Sequence, residues 1–136
     1  MHMLLRQLLL FALLMASADL RAQRTFDVTI ADSTYHMKQY WMVLYIKGDG
    51  PALDSLTAAT LQREHLAHQD DQAKRGLIVM AGPFDKNDLG WRGILLYDVN
   101  TREEVEQQLL QDPFVKAGRL KYEIAPWWGS VGTRLP

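Results

Sequence analysis

Residues 39–46 read QYWMVLYI, and this octapeptide sets the architecture. In an extended chain, successive side chains point to opposite faces. Tyr40, Met42, Leu44 and Ile46 then share one face, and Trp41, Val43 and Tyr45 share the other. Both faces are apolar, the pattern of a strand covered on both sides. Lys47-Gly48-Asp49-Gly50-Pro51 ends it with a turn. A long helix is predicted from about Asp54 to Arg75, with Asp54 or Ser55 accepting from the free amides of its first turn. Lys74 and Arg75 suit its negative end, and Gly76 its left-handed cap. On the helical wheel Leu56, Ala59, Leu66 and Ala73 form the apolar stripe, and His65 lies well around from its centre.

Leu77–Ala81 is predicted as a second buried strand, stopped by Gly82-Pro83, and Trp91–Val99 as a third. The loop between them carries the turn formers Asp85, Asn87, Asp88 and Gly90. Thr101 and Glu104 form a capping box for a second helix reaching about Gln111, where Pro113 disfavours helical geometry at Asp112. Leu120, Tyr122 and Ile124 alternate with Lys121 and Glu123, the pattern of a half-exposed edge strand ended by Pro126-Trp127-Trp128. No internal repeat interrupts this order. The result is βαββαβ, an α+β, ferredoxin-like arrangement: a four-stranded antiparallel sheet with two helices on one face. The first strand needs a cover on its second face as well. A second copy packed sheet to sheet is the simplest cover, so a homodimer is expected. The open face could instead bind an apolar ligand or partner.

Upstream, residues 1–18 read MHMLLRQLLLFALLMASA: one cation, a short apolar run, then a small-x-small site. That is the layout of a secretory signal peptide, and export to the periplasm or the exterior is expected. The run is too short to span a bilayer, which needs about 20 apolar residues, so no membrane association is expected after cleavage. Residues 19–38 are a polar lead-in. Phe26, Val28 and Ile30 alternate with polar residues there, leaving a short strand and a flexible spacer both open, and the folded domain is placed at 39–136.

Composition narrows the chemistry. With 15 Lys plus Arg against 16 Asp plus Glu in 136 residues, no basic excess exists to neutralise phosphates, and nucleic acid is not an expected partner. The absence of cysteine excludes disulfides, thiolate metal sites and cysteine nucleophiles. A hydrophobic content of 48% is that of a globular domain rather than a disordered one. Phosphate-binding loops, dinucleotide fingerprints and serine nucleophile elbows are all missing. Glu64-His65-x-x-His68 has the wrong order and spacing for a zinc helix, although His65, His68 and Asp71 could meet a metal from one side of a helix. Two readings of His65 stay open: a proton-transfer group, and a solvated histidine on a polar helix. Asp112 is either a local turn residue or a fixed carboxylate that orients a histidine. Arg92 could hold a substrate carboxylate beside Trp91, or both could be ordinary strand residues.

Several segments together resemble the YciI-like (YCII-related) domain. They are His65-Leu66-Ala67, Ala81-Gly82-Pro83, Asp112-Pro113-Phe114-Val115-Lys116-Ala117-Gly118 and Glu123-Ile124-Ala125-Pro126-Trp127, in that order. The resemblance spans about Gln39 to Trp128. It implies a ferredoxin-like fold that dimerises into an α/β barrel. It also implies an active site built from a helix histidine and an aspartate, matched here by His65 and Asp112. A related dehydrochlorinase and the similarly folded muconolactone isomerases imply proton transfer on small cyclic or aromatic acids, with no cofactor and no metal. The leader and lead-in depart from the usual members. The expectation is therefore an exported lyase or isomerase using His65 and Asp112, with Arg92 and Trp91 as substrate contacts. The alternatives are a module that binds a small ligand without catalysis and a purely structural dimer.

Overall fold

The computed structural model describes residues 24–136. The leader at 1–18 and the start of the lead-in lie outside the described residues. The elements run β1 (Thr25–Ile30), β2 (Ser33–Lys47), α1 (Ser55–Lys74), β3 (Ile78–Pro83), β4 (Trp91–Tyr97), α2 (Arg102–Leu109), α3 (Pro113–Lys116) and β5 (Leu120–Ser130). The antiparallel order β5–β2–β4–β3 is that of a ferredoxin-like sheet.

The QYWMVLYI strand starts earlier than its sequence pattern indicates. β2 begins at Ser33 and forms a hairpin with β1, Thr25 to Ile30 pairing with Lys38 to Ser33. The lead-in alternation is thus a strand and not a spacer. Ala31 takes the positive φ of 51° that this tight turn requires. β5 also outlasts its expected end, running through Pro126 to Ser130 opposite Trp41 to Met37. Its sequence pairings are with β2 alone, so the missing proline N–H is tolerated on this edge.

The odd-numbered residues of β2 from Trp41 to Tyr45 and of β4 from Gly93 to Tyr97 face the helices. Val43, Tyr45, Leu95 and Tyr97 join Val105 and Leu109 of α2, Ile78, Val99 and Leu120 in one core. The caps form as the sequence indicates. Asp54 accepts from the amides of Leu56 and Thr57, Thr101 accepts from that of Glu104, and Gly76 has a positive φ of 75°.

Helix α1 does not bury the expected stripe. Leu56 and Leu66 are 75% and 52% exposed, and the buried residues of the helix are His65 and Gln72. The inward face is polar because its partners are polar. The Tyr97 hydroxyl donates to Gln72 Oε1 at 2.7 Å, the Gln72 amide donates to the His68 carbonyl, and His68 Nε2 donates to the Gln108 carbonyl at 2.9 Å. A buried polar group costs little once its hydrogen bonds are made. On the far side of the sheet Met42, Leu44, Ile46, Met80 and Ile94 are half-buried and Leu96 is buried, and no helix covers them among the described residues.

Candidate active site

Three segments distant in sequence meet at Asp112. Pro113 fixes the first turn of α3, so Asp112 becomes its N-cap and accepts the Phe114 N–H at 2.9 Å. That turn is pressed against the end of β2 by glycines. Gly48 and Gly50 donate to the carbonyls of Arg119 and Gly118 at 2.8 Å. A Cβ on Gly48 would lie 2.0 Å from the Gly118 oxygen, so only glycine permits this approach. Gly118 itself takes a φ of 68° to leave α3.

Asp112 is fully buried. Besides the Phe114 amide it accepts the Tyr45 hydroxyl at 2.7 Å and His65 Nδ1 at 2.8 Å from both carboxylate oxygens. An ionised carboxylate only accepts, so the proton on this side of the imidazole belongs to Nδ1. Burial opposes the charge on Asp112, but hydrogen bonds from His65 and Tyr45, the electrostatic pull of His65 and the Phe114 amide outweigh it. The carboxyl is held below its ordinary range. Burial, reinforced by the Asp112 charge, pushes the Tyr45 hydroxyl far above the ordinary phenol range and keeps it a donor.

The ring of His65 is itself pinned. It stacks on Phe114 with centroids 4.7 Å apart, and Tyr45 meets it edge-on at 5.8 Å. With Nδ1 committed to Asp112, Nε2 is the remaining nitrogen, and Gln69 contacts it at 2.8 Å from one helical turn onward. A fixed tautomer that leaves a lone pair on one defined nitrogen is what a general base requires.

This histidine borders a cavity of about 470 Å3 between α1, β3 and β4. Leu66, Ala81, Pro83, Leu95, Phe114 and Leu120 give it apolar walls, while Gln62, Gln69, His65, Tyr45 and Arg92 supply polar groups. Cavities of this size take small organic molecules.

The profile of the YCII-related domain matches residues 40–128, most of the described chain. The chain belongs to the YCII-related domain family. No curated protein matches it. Among solved structures it is similar to a 5-chloro-2-hydroxyhydroquinone dehydrochlorinase from Burkholderia phenoliruptrix AC1100, solved in complex with 2,5-dihydroxybenzoquinone. Identity is 23%, the match covers 64% of this chain and 92% of that one, and the TM-score is 0.46.

Within this YCII-related domain the four residues singled out from sequence fare differently. His65 and Asp112 are in direct contact, although 47 positions separate them. Arg92 lines the cavity for a reason that alternation does not reveal. Tyr45 pairs with Gly93 and Ile46 with Trp91, which leaves Arg92 as the extra residue of a β-bulge. A bulge re-aims its side chain. Trp91 is not among the lining residues; its ring packs on Phe84 at 5.3 Å. His65, His68 and Asp71 do not converge. Their polar atoms go to Asp112, to the Gln108 carbonyl and to Arg75 respectively.

Sequence reasoning missed Tyr45 and Gln69. The signal for Gln69 was its i, i+4 spacing from His65, which places both on one helix face. Tyr45 carried only a weaker one, a phenol two residues from Val43 on the helix-facing side of β2.

Proposed function

We propose that this YCII-related domain is a cofactor-independent lyase or isomerase that moves a proton on a small cyclic or aromatic acid. The observation that carries the reading is the buried Asp112 carboxylate on Nδ1 of a histidine whose ring borders a cavity. In this reading His65 Nε2 takes the proton from the substrate and returns it. Asp112 holds the tautomer and favours the imidazolium that forms, and Tyr45 and the Phe114 amide keep Asp112 ionised and in place. Arg92 supplies a cation for the substrate's carboxylate, which argues for an acid over a neutral compound. General acid–base help of this kind is worth about 10²–10⁴-fold. The test is proton exchange in D2O: a panel of small cyclic and aromatic carboxylic acids is incubated with the protein, and deuterium incorporation is followed by NMR. Exchange with a member of the panel that disappears in His65→Gln supports the reading. Exchange that survives the substitution overturns it.

The uncovered sheet face supports a second element of the proposal, a homodimer formed by packing this face on that of a second copy. Half-buried Met42, Leu44 and Ile46 and the paired aromatic rings of Tyr40 and Trp127 lie on this face, with Lys121 and Glu123 beside them on β5. Apolar surfaces of this kind mark interaction sites. Export is proposed as well, on the layout of residues 1–18 alone. N-terminal sequencing of the mature protein tests it, with an intact leader as the refuting result. Among the described residues no helix is long and apolar enough to cross a membrane.

A further inference from the structure

The nitrogen that the proposed reaction needs is occupied. Gln69 Nε2 lies 2.8 Å from His65 Nε2. An amide nitrogen can only donate, and with Nδ1 protonated toward Asp112 the other ring nitrogen carries a lone pair. The contact is therefore N–H···N, and the amide covers the lone pair that would accept a substrate proton. We propose that Gln69 is a positioning residue that caps the cavity-facing nitrogen of His65 and must swing off it before the imidazole can take a proton. This inference rests on the proton-transfer reading above for its purpose, though not for its geometry.

The surroundings fit a movable cap. Asp112, Tyr45 and Phe114 hold the imidazole on its other sides with contacts from β2 and α3, so the ring stays when the amide leaves. Gln69 is half-buried, lines the cavity and hydrogen-bonds to His65 from the same helix. Gln62, on the other side of His65 in α1, also lines the cavity, so a ligand entering beside it can displace the Gln69 amide.

The side chain type matters for the second half of a cycle. When a substrate X–H bond breaks, its electron pair stays on the substrate and the proton ends on Nε2. The imidazolium then has two N–H donors and no acceptor. Rotation of the amide about its last side-chain bond presents Oε1 to the new N–H. Glutamine can satisfy both protonation states from one position. Glutamate can serve only the protonated ring, and methionine offers no donor to the neutral one.

Diethyl pyrocarbonate reports on the lone pair directly. The neutral ring nitrogen attacks a carbonyl and expels ethyl carbonate, which takes up the proton the ring releases and breaks down to carbon dioxide and ethanol, and the ring keeps an ethoxycarbonyl group. Peptide mass spectrometry gives the rate at His65, with His36, whose side chain is 70% exposed, as internal reference. Gln69→Met nearly conserves side-chain volume and removes the donor. It should speed modification of His65 by about 2- to 12-fold, the factor a net hydrogen bond represents. Gln69→Glu should slow it below wild type by holding a proton on Nε2. If glutamine merely fills space, methionine leaves the rate unchanged, and that result overturns the proposal. A measurement without substitution guards against variants that misfold. In uniformly 15N-labelled wild type, a scalar coupling across the hydrogen bond should link Gln69 Nε2 to neutral His65 Nε2. Its absence also overturns the cap. Neither readout depends on turnover, so a silent exchange panel sinks the reaction and leaves the cap standing.

Discussion

Replacing Asp112 by alanine and by asparagine should give two clearly separated losses of stability. Asp112→Ala leaves three groups without an acceptor: His65 Nδ1–H, the Tyr45 hydroxyl and the Phe114 amide. Each buried donor left unsatisfied costs about 1–3 kcal/mol, and small shifts of the rings recover part of it. The expected total from the three stranded donors is about 3–5 kcal/mol. For a domain of this size each kcal/mol moves Tm by about 4 °C, so the alanine variant should melt about 12–20 °C lower. Asparagine is as good an N-cap as aspartate. Its oxygen can still accept Nδ1–H and the Phe114 amide, and its NH2 can donate to a Tyr45 hydroxyl that turns around. Only charge assistance is lost, about 1–3 kcal/mol or about 4–12 °C. The acid dependence has a defined sign. Because the native carboxyl is held below its ordinary range, its stabilisation is complete above about pH 4 and disappears as pH falls through the native value. The gap between wild type and Asp112→Asn should therefore narrow below pH 4. Calorimetry at pH 7 and at pH 3.5 measures both effects. Equal destabilisation by asparagine and alanine would refute the hydrogen-bond reasoning, as would an alanine variant melting within about 4 °C of wild type.

Tyr97→Phe and Gln72→Leu should each cost about 1–3 kcal/mol, because each strands one member of a buried pair, while the double variant should cost less than the sum. A denaturant double-mutant cycle measures this, and strict additivity would count against a coupled pair. Burial opposes the charge on Asp98, but bonds from Lys38 and Arg24 outweigh it and hold its carboxyl low. Wild type should thus lose stability below about pH 4 more steeply than Asp98→Asn, seen as melting curves that converge in acid. Leu44→Glu places a carboxylate opposite Glu123 on the uncovered face, and sedimentation should show a proposed dimer becoming monomer with the fold intact by circular dichroism. Unchanged sedimentation of a dimeric variant would place the interface elsewhere.

Much of this architecture is local and was readable as such. The caps at Asp54 and Thr101, the left-handed Gly76 and the alternation of β2 depend on residues within a few positions of one another. The site is not local. The apolar stripe of Leu56 and Leu66 misleads because Asp112 at the start of α3 and Tyr97 of the sheet give α1 polar partners, and periodicity does not register which polar groups will find partners. Arg92 reaches the cavity only through a bulge, a one-residue slip that alternation cannot show. His65 and Asp112 could be paired in advance only through the family resemblance. The folding of α3 onto Gly48 and Gly50 is what brings them together.

Strand β2 pairs with β1, β4 and β5, and this has a consequence for biosynthesis. The partner along Met37–Lys47 is Leu120–Ser130, made only after β1, β3 and β4. Until then one whole margin of β2 stays open, with unbonded amides and carbonyls. Open strand margins template association with other chains, and pairings between distant segments form slowly. A nascent chain of this protein is consequently most prone to aggregation after Tyr97 has joined the sheet and before β5 has. A ribosome stall in that interval should draw chaperone binding to residues 37–47, and release should follow addition of β5.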